Sequence, residues 1–341
     1  MQVGVVGLGY WGSKHVRVLS SLSDVDRVVC FDLDRQRQDV IAAAFPAAAV
    51  APSLADLLDV VDAVVLATHP STHAALAEAA LEAGVHVLVE KPLALTSREG
   101  ADLVDLAAAR GLTLMVGHTF AYNPAVRALR DLVQRGDLGD VWHIDSQRLN
   151  LGLYQSDCDV VWDLAPHDVS IINTLVGTAP TVVRAWGRGH LNRSIADNAY
   201  VMLEYAGLDV QAVVHVSWLD PHKVRRLTVV GSQRMAVYDD LADDERIRIY
   251  DKGVVPGEDF SPSTPMTYRY GDIHSPYIPF SEPLRLEDQH FVDSVRDGTR
   301  PLTDGEAGLE VVRTLEAAST SLREGRAVSL AEVGDTARVL R

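Results

Sequence analysis

An almost unbroken apolar run, Val3 to Leu8, passes into Gly7-Leu8-Gly9-Tyr10-Trp11-Gly12, and a helix-compatible stretch follows at once. Few folds accept three glycines at that spacing between a strand and a helix. Gly7 allows the tight turn, Gly9 lets a pyrophosphate approach the main chain, and Gly12 lets helix and strand touch. Tyr10 and Trp11 fill the positions between, where the helix N-terminus would face the phosphates. Methyltransferases carry similar loops, so placement has to decide. Twenty residues beyond Gly12 the next apolar run ends at Asp32, where a carboxylate can accept both ribose hydroxyls and repel a 2′-phosphate. A dinucleotide is the expected ligand, NAD ahead of NADP. NADP stays open because Arg35 and Arg37 stand close by, and Asp32 or Asp34 can instead cap the next helix.

The loop opens a pattern of short apolar runs and longer Ala-rich ones across the first 120 residues. Val3 to Leu8, Val28 to Phe31, Ala63 to Ala67, Val85 to Val89 and Thr113 to Val116 read as strands covered on both faces. Gly12 to Ser21, Arg35 to Ala44, Ser71 to Ala83 and Ser97 to Ala109 read as helices. Strands alternating with helices predict an α/β, doubly wound parallel Rossmann sheet over residues 1–120. Residues 121–341 change texture. A helix over Asn123 to Gln134 precedes strands near Val141 to Arg148, Thr181 to Arg188, Ala199 to Tyr205, Val210 to Trp218, Arg226 to Val230 and Arg234 to Tyr238. Their alternation predicts an α+β second domain with a large, mainly antiparallel open sheet covered on one face. Its bare face suits a subunit partner, so a homodimer or homotetramer through that sheet is expected. Gly253 to Pro283 is rich in Pro, Ser, Tyr and Gly and reads as disordered or as a functional flap. Helices over Leu286 to Arg296 and Glu306 to Glu324 close the chain.

Composition limits the partners. The 341 residues suit roughly two domains. A net charge of −16 disfavours nucleic acid and anionic membranes. No apolar run is long enough to span a bilayer, and Met1 leads so quickly into a strand that no signal peptide is expected. Two cysteines, Cys30 and Cys158, cannot form a disulfide framework, so a reducing cytoplasm is the expected setting.

Glu90-Lys91-Pro92 ends the strand Val85 to Val89, at the edge where open α/β sheets bind ligands. A following proline allows a cis peptide, which would fix the lysine's direction. Strand-end lysines are otherwise commonly solvated. In Val161-Trp162-Asp163-Leu164-Ala165-Pro166-His167-Asp168, Asp163 and His167 stand four apart, so a helix places them on one face with the carboxylate able to orient the imidazole. Pro166 is tolerable in a first helical turn. The pair suits a general base. It also suits a helix cap with a packed histidine. A metal site from Asp163, His167, Asp168 and His190 lacks any supporting ligand pattern, and none is expected.

Gly7 to Gly12, Ala67-Thr68-His69-Pro70-Ser71-Thr72-His73, Glu90-Lys91-Pro92 and the Asp163 to His167 pair together resemble the glucose-fructose oxidoreductase and inositol dehydrogenase group, Gfo/Idh/MocA, over nearly the whole chain. The resemblance implies a sugar dehydrogenase or ketoreductase. It implies that Lys91 touches nicotinamide and substrate and that Asp163 and His167 lie in the active site. Thr68, Pro70 and His73 match the cofactor-side loop, while His69 stands where many relatives carry proline or a small residue. Gly117 to Pro124, Arg148 to Gly152 and Trp162 to Asp168 resemble a branch with nucleotide-sugar and amino-sugar dehydrogenases. That makes Tyr122, Asn123 and Arg148 candidate substrate contacts, although Ala121 and Cys158-Asp159 depart from the branch.

The resulting expectation is hydride transfer between NAD and a sugar carbon, at the 3-position of a nucleotide-linked sugar. Lys91 and His167 would share the proton, with Asp163 behind the imidazole. Lys223, Arg225 and Arg226 are candidate diphosphate anchors or simply a solvated edge. The alternatives are an inositol or free-hexose dehydrogenase, an NAD-dependent glycosidase that regenerates its cofactor, and a cofactor-sensing protein without turnover.

Overall fold

The computed structural model describes residues 1–156, 158–255 and 266–333. The chain divides into two compact units. One holds residues 1–123 and 281–313, and the other holds 124–280 and 314–335.

The first unit runs β1 (Gln2–Val6), α1 (Tyr10–Leu19), β2 (Arg27–Phe31), α2 (Arg35–Ala44), β3 (Ala49–Val50), α3 (Leu54–Leu58), β4 (Ala63–Leu66), α4 (His73–Glu82), β5 (His86–Glu90), α5 (Ser97–Arg110) and β6 (Leu114–Gly117). Its six strands stand in the order β3-β2-β1-β4-β5-β6. Neighbours pair in parallel, Val5 lying opposite both Cys30 and Val65. Strand order reverses between β1 and β4, and the crevice beyond the strand ends there is where such sheets take ligands. The fully apolar strands follow from helices on both faces. Sequence caps hold the helices: Asp34 accepts from the Gln36 N–H to start α2, and Thr96 with Glu99 forms a capping box on α5.

The second unit begins with α6 (Pro124–Gln134), β7 (Val141–Leu151) and α7 (Val160–Val176). It continues through β8 (Val182–Arg188), β9 (Asn198–Glu204), β10 (Gln211–Ser217), β11 (Leu219–Gly231), β12 (Met235–Asp239), β13 (Ile247–Val255) and β14 (Thr267–His274). Helices α8 (Pro283–Asp297) and α9 (Gly305–Glu324) and strand β15 (Val328–Ser329) end the described chain. Among the described residues nine strands form one sheet, β14-β13-β12-β11-β7-β10-β9-β8-β15, in which only β7 and β10 pair in parallel. Along β9, Ala199, Val201 and Leu203 are buried while Tyr200, Met202 and Glu204 are exposed. One face is therefore covered, with α7 packed against β10 and β9.

Three expectations are corrected. Residues 281–313 count with the first unit rather than with one domain over 121–341. Leu284, Phe291 and Val292 of α8 bury in the same cluster as Val16, Val18 and Leu19 of α1. The stretch Gly253 to Pro283 is not wholly irregular: β13 and β14 pair within it, Val254 opposite Tyr268 and Gly253 opposite Arg269. Strand β14 is exposed on both faces, so it lacks the alternation that marks a half-buried strand. Residues 256–265 of that stretch lie outside the described residues. Finally, Pro166 sits in the second turn of α7, because Asp159 caps the helix by accepting from the Val161 and Trp162 N–H groups. Asp163 is thus released from the capping role.

Candidate active site

In the first unit, the β1–α1 loop is built around its glycines. Gly7 has φ +87°, and a side chain there would meet the Ala67 carbonyl at 2.6 Å. A Cβ on Gly12 would lie 1.8 Å from the Gly7 carbonyl oxygen. Gly9 is different. Only an Arg37 nitrogen, 3.7 Å away, neighbours its missing side chain, and no side chain caps α1. The amides of that first turn, where Tyr10 and Trp11 project outward, remain a place for an anion.

Beside the loop lies a cleft of about 460 Å³, lined by Gly7, Gly9, Asp32, Arg37, Thr68 and His69 among others. Asp32 is 9% exposed. Its carboxylate accepts the Leu8 N–H at 2.6 Å and the Asp34 N–H at 2.8 Å, which fixes it at the end of β2. The Thr68 hydroxyl meets that of Thr72 at 2.8 Å, and His69 Nδ1 lies 2.9 Å from the Ser71 hydroxyl at the start of the short turn that Pro70 opens. A glycine cradle, a helix N-terminus and a ribose-side carboxylate suit a dinucleotide.

His73 is placed otherwise than as a cofactor contact. It is fully buried, with Nδ1 2.8 Å from the Pro92 carbonyl and Nε2 3.2 Å from the Thr68 carbonyl. Burial lowers its pKa despite those carbonyls, and the ring stands between the Thr68 loop and the turn after β5. Glu90 likewise turns inward. Its Oε1 lies 3.2 Å from His15 Nε2 and its Oε2 accepts the Lys91 N–H at 3.2 Å. The following Lys91–Pro92 peptide is cis, and Lys91 is half-buried at the sheet's C-terminal edge.

Tyr122, a candidate substrate contact, is fully buried, and its hydroxyl lies 3.0 Å from that of Thr303. Asn123 is 3% exposed. His118 escaped the sequence reading as a site residue. It is 2% exposed, its two ring nitrogens have no hydrogen-bond partner among the described residues, and burial pushes its pKa down to about 4. Only its position directly after β6 hinted at this.

In the second unit, α7 carries Asp163 and His167 one turn apart, both half-buried. The Trp218 indole N–H donates to Asp163 Oδ2 at 2.9 Å. Trp218 is 1% exposed and packs edge-on against Tyr154, ring centroids 5.2 Å apart. Sequence gave no signal for Trp218, which lies 55 residues from its partner. Arg148, a candidate substrate contact, is 6% exposed, and its Nε donates to Asp168 Oδ2 at 2.6 Å while Ser146 also bonds Asp168. That buried pair ties β7 to α7. His190 is likewise taken up by Asp197, 2.7 Å away. Arg225 and Arg226 pair with Asp240 and Asp239 at 3.3 and 3.4 Å.

Comparison with known proteins agrees with this layout. The Gfo/Idh/MocA model described as an oxidoreductase family with an NAD-binding Rossmann fold matches residues 1–118, and the GFO/IDH/MocA C-terminal domain matches residues 126–237. The chain is similar to UDP-N-acetylglucosamine 3-dehydrogenase of Acidithiobacillus ferrooxidans, 33% identical over 75% of this chain and 80% of that one. A solved structure of that enzyme superposes with a TM-score of 0.79, covering 95% of this chain and 98% of the other. GenD2 from gentamicin A biosynthesis, solved in complex with NAD, superposes with a TM-score of 0.80 at 27% identity, covering 96% of each chain. An inositol 2-dehydrogenase of Rhizobium meliloti is 24% identical over 97% of this chain and 99% of its own length. With both halves matched, the chain belongs to the Gfo/Idh/MocA family of NAD-binding oxidoreductases.

Proposed function

We propose that this enzyme interconverts a secondary hydroxyl and a ketone at the 3-position of a nucleotide-linked amino sugar. The observation that carries the reading is the 33% identity to a UDP-N-acetylglucosamine 3-dehydrogenase over three quarters of the chain. Lys91 at the ligand edge of β5 supports it. NAD, when bound, supplies the hydride acceptor or donor.

The protein's own groups handle the proton. In the oxidation direction His167 takes the hydroxyl proton as the carbon loses hydride, and the carbon–oxygen single bond becomes a carbonyl. The Lys91 ammonium hydrogen-bonds the same oxygen and stabilises its developing negative charge. Asp163, anchored by Trp218, sits one turn before His167 and stabilises the imidazolium. The reading requires Lys91 and the Asp163–His167 pair to act on one substrate carbon.

The test is NADH formation by the purified chain with NAD and UDP-N-acetylglucosamine, myo-inositol, glucose and a nitrophenyl glycoside in parallel. Turnover of the sugar nucleotide is expected. Turnover confined to inositol or glucose would replace the substrate class, and glycoside cleavage without net NADH would replace the reaction. NAD binding without any turnover would point to a sensor. Lys91→Ala is expected to lose roughly a thousandfold in kcat while NAD affinity moves less than about threefold. Near-normal turnover in that variant overturns the assignment.

The second sheet's uncovered face carries exposed Trp186, Tyr200 and Met202, with Tyr200 stacked on His215 at 4.0 Å. We assign it to contact with a second copy in a homodimer or homotetramer. No helix of the described residues is long and apolar enough to cross a membrane. No disulfide joins the two cysteines, which suits the cytoplasm.

A further inference from the structure

Beneath Lys91 lies a buried charge cluster that the proposed chemistry does not use. His15, on α1, is fully buried with Nδ1 2.8 Å from Asp288 Oδ1 and Nε2 3.2 Å from Glu90 Oε1. A neutral imidazole has one N–H and can donate to one carboxylate; an imidazolium donates to both. Burial disfavours the charged ring, yet the charges and hydrogen bonds of Asp288 and Glu90 hold His15 well above the ordinary histidine value. Burial also works against Glu90, and the hydrogen bond and charge of His15, with the charge of Lys91, bring it below the usual carboxylate range.

Other groups face the same cluster. Burial drives Glu287 on α8 well up, and it accepts the Thr119 hydroxyl at 2.9 Å. Burial raises Asp288 while His15 pulls it back, and Glu282 adds negative charge from the start of α8. His118 is neutral. Glu90 therefore bridges His15 on one side and the Lys91 main chain on the other. Its Oε2 also accepts the Lys91 backbone N–H.

We propose that His15 is a positioning residue for Lys91: clamped between Asp288 and Glu90, it fixes the Glu90 carboxylate, whose Oε2 accepts the Lys91 backbone N–H and so sets where Lys91 leaves the strand. Without the clamp, the Glu90 carboxylate loses its partner on one side and its hold on the Lys91 main chain loosens. The inference rests on Lys91 being the ammonium that meets the substrate.

The test does not need a substrate. The chain has four lysines, Lys14, Lys91, Lys223 and Lys252. Full-length wild type and His15→Gln are treated with acetic anhydride at neutral pH, and the rate at each lysine is read by mass spectrometry. Freed of its hold, Lys91 is expected to react roughly fivefold faster in the variant, with the other three unchanged. An unchanged Lys91 rate overturns the proposal. So does a parallel rise at Lys14, which would report loosening of α1. Should His15→Gln fail to fold, Asp288→Asn removes one side of the clamp with little change of shape and carries the same expectation.

Kinetics gives the second readout, with whichever sugar the enzyme turns over. His15→Gln is expected to lose about tenfold in kcat with NAD affinity within about threefold. Matched losses of NAD affinity and turnover would make His15 a support of the glycine loop and overturn the proposal. Because the labelling stands alone, absence of sugar turnover would sink only the proposed function.

Discussion

Gly12 tolerates no side chain, because the atom that a Cβ would strike at 1.8 Å is the backbone oxygen of Gly7 and cannot swing aside. Gly12→Ala is expected to abolish NADH binding in a fluorescence titration and to cost on the order of 1–3 kcal/mol in thermal unfolding. Trp218 makes a gentler case. Trp218→Phe keeps most of the packing but removes the donor to Asp163 Oδ2. A fall in kcat of about three- to tenfold is expected, with NAD affinity unmoved, as for one lost hydrogen bond to a charged group. Gly12 could be read from the chain, since a glycine spacing carries its meaning within six residues. Tyr122 and Arg148 could not. Whether an aromatic or an arginine faces substrate or core depends on Thr303 and Asp168, which spacing does not reveal.

Helix α7 shows how a cap decides what its neighbours are free to do. Asp159 takes the first amides, so Asp163 is left for Trp218. Asp159→Ala is expected to cost about 1 kcal/mol in denaturant unfolding, in line with other caps. Helix α8 is held differently, by burial. Phe291 is fully buried in the cluster it shares with α1, and Phe291→Ala is expected to cost about 3–5 kcal/mol. Among the strands, β9 was legible because inward Val201 alternates with outward Met202. Strand β14 was not, because both its faces are wet and its Tyr268 and Tyr270 need no apolar partner inside. Periodicity reports burial, and an edge strand open on both sides leaves no period to read.

Across the protein, stability should carry the mark of its buried charges. The pKa of His15 is raised in the folded state, so its contribution is fully present below the ordinary histidine value near 6.5 and is lost as pH climbs through the raised one. Asp197 acts on the acid side. Burial opposes its ionisation, but His190 and two backbone amides lower its pKa, so its contribution is present above 3.8 and fades as pH falls through the lowered value. The melting temperature, followed by circular dichroism against pH, is expected to fall toward both extremes, with a shallower alkaline decline in His15→Gln. An equal alkaline slope in that variant would show that His15 does not carry the effect.

Local pattern was enough to establish the parallel sheet, the glycine cradle and the carboxylate at the end of β2, because hydrophobic period and turn chemistry act over a few residues. The return of residues 281–313 to the first unit, the hold of Trp218 on Asp163 and the grip of Asp288 on His15 emerged only from folding. Asp288 lies 273 positions from that histidine, and such pairs are selected by which faces pack together. Packing is a property of surfaces assembled from distant segments, and no window of sequence contains both halves.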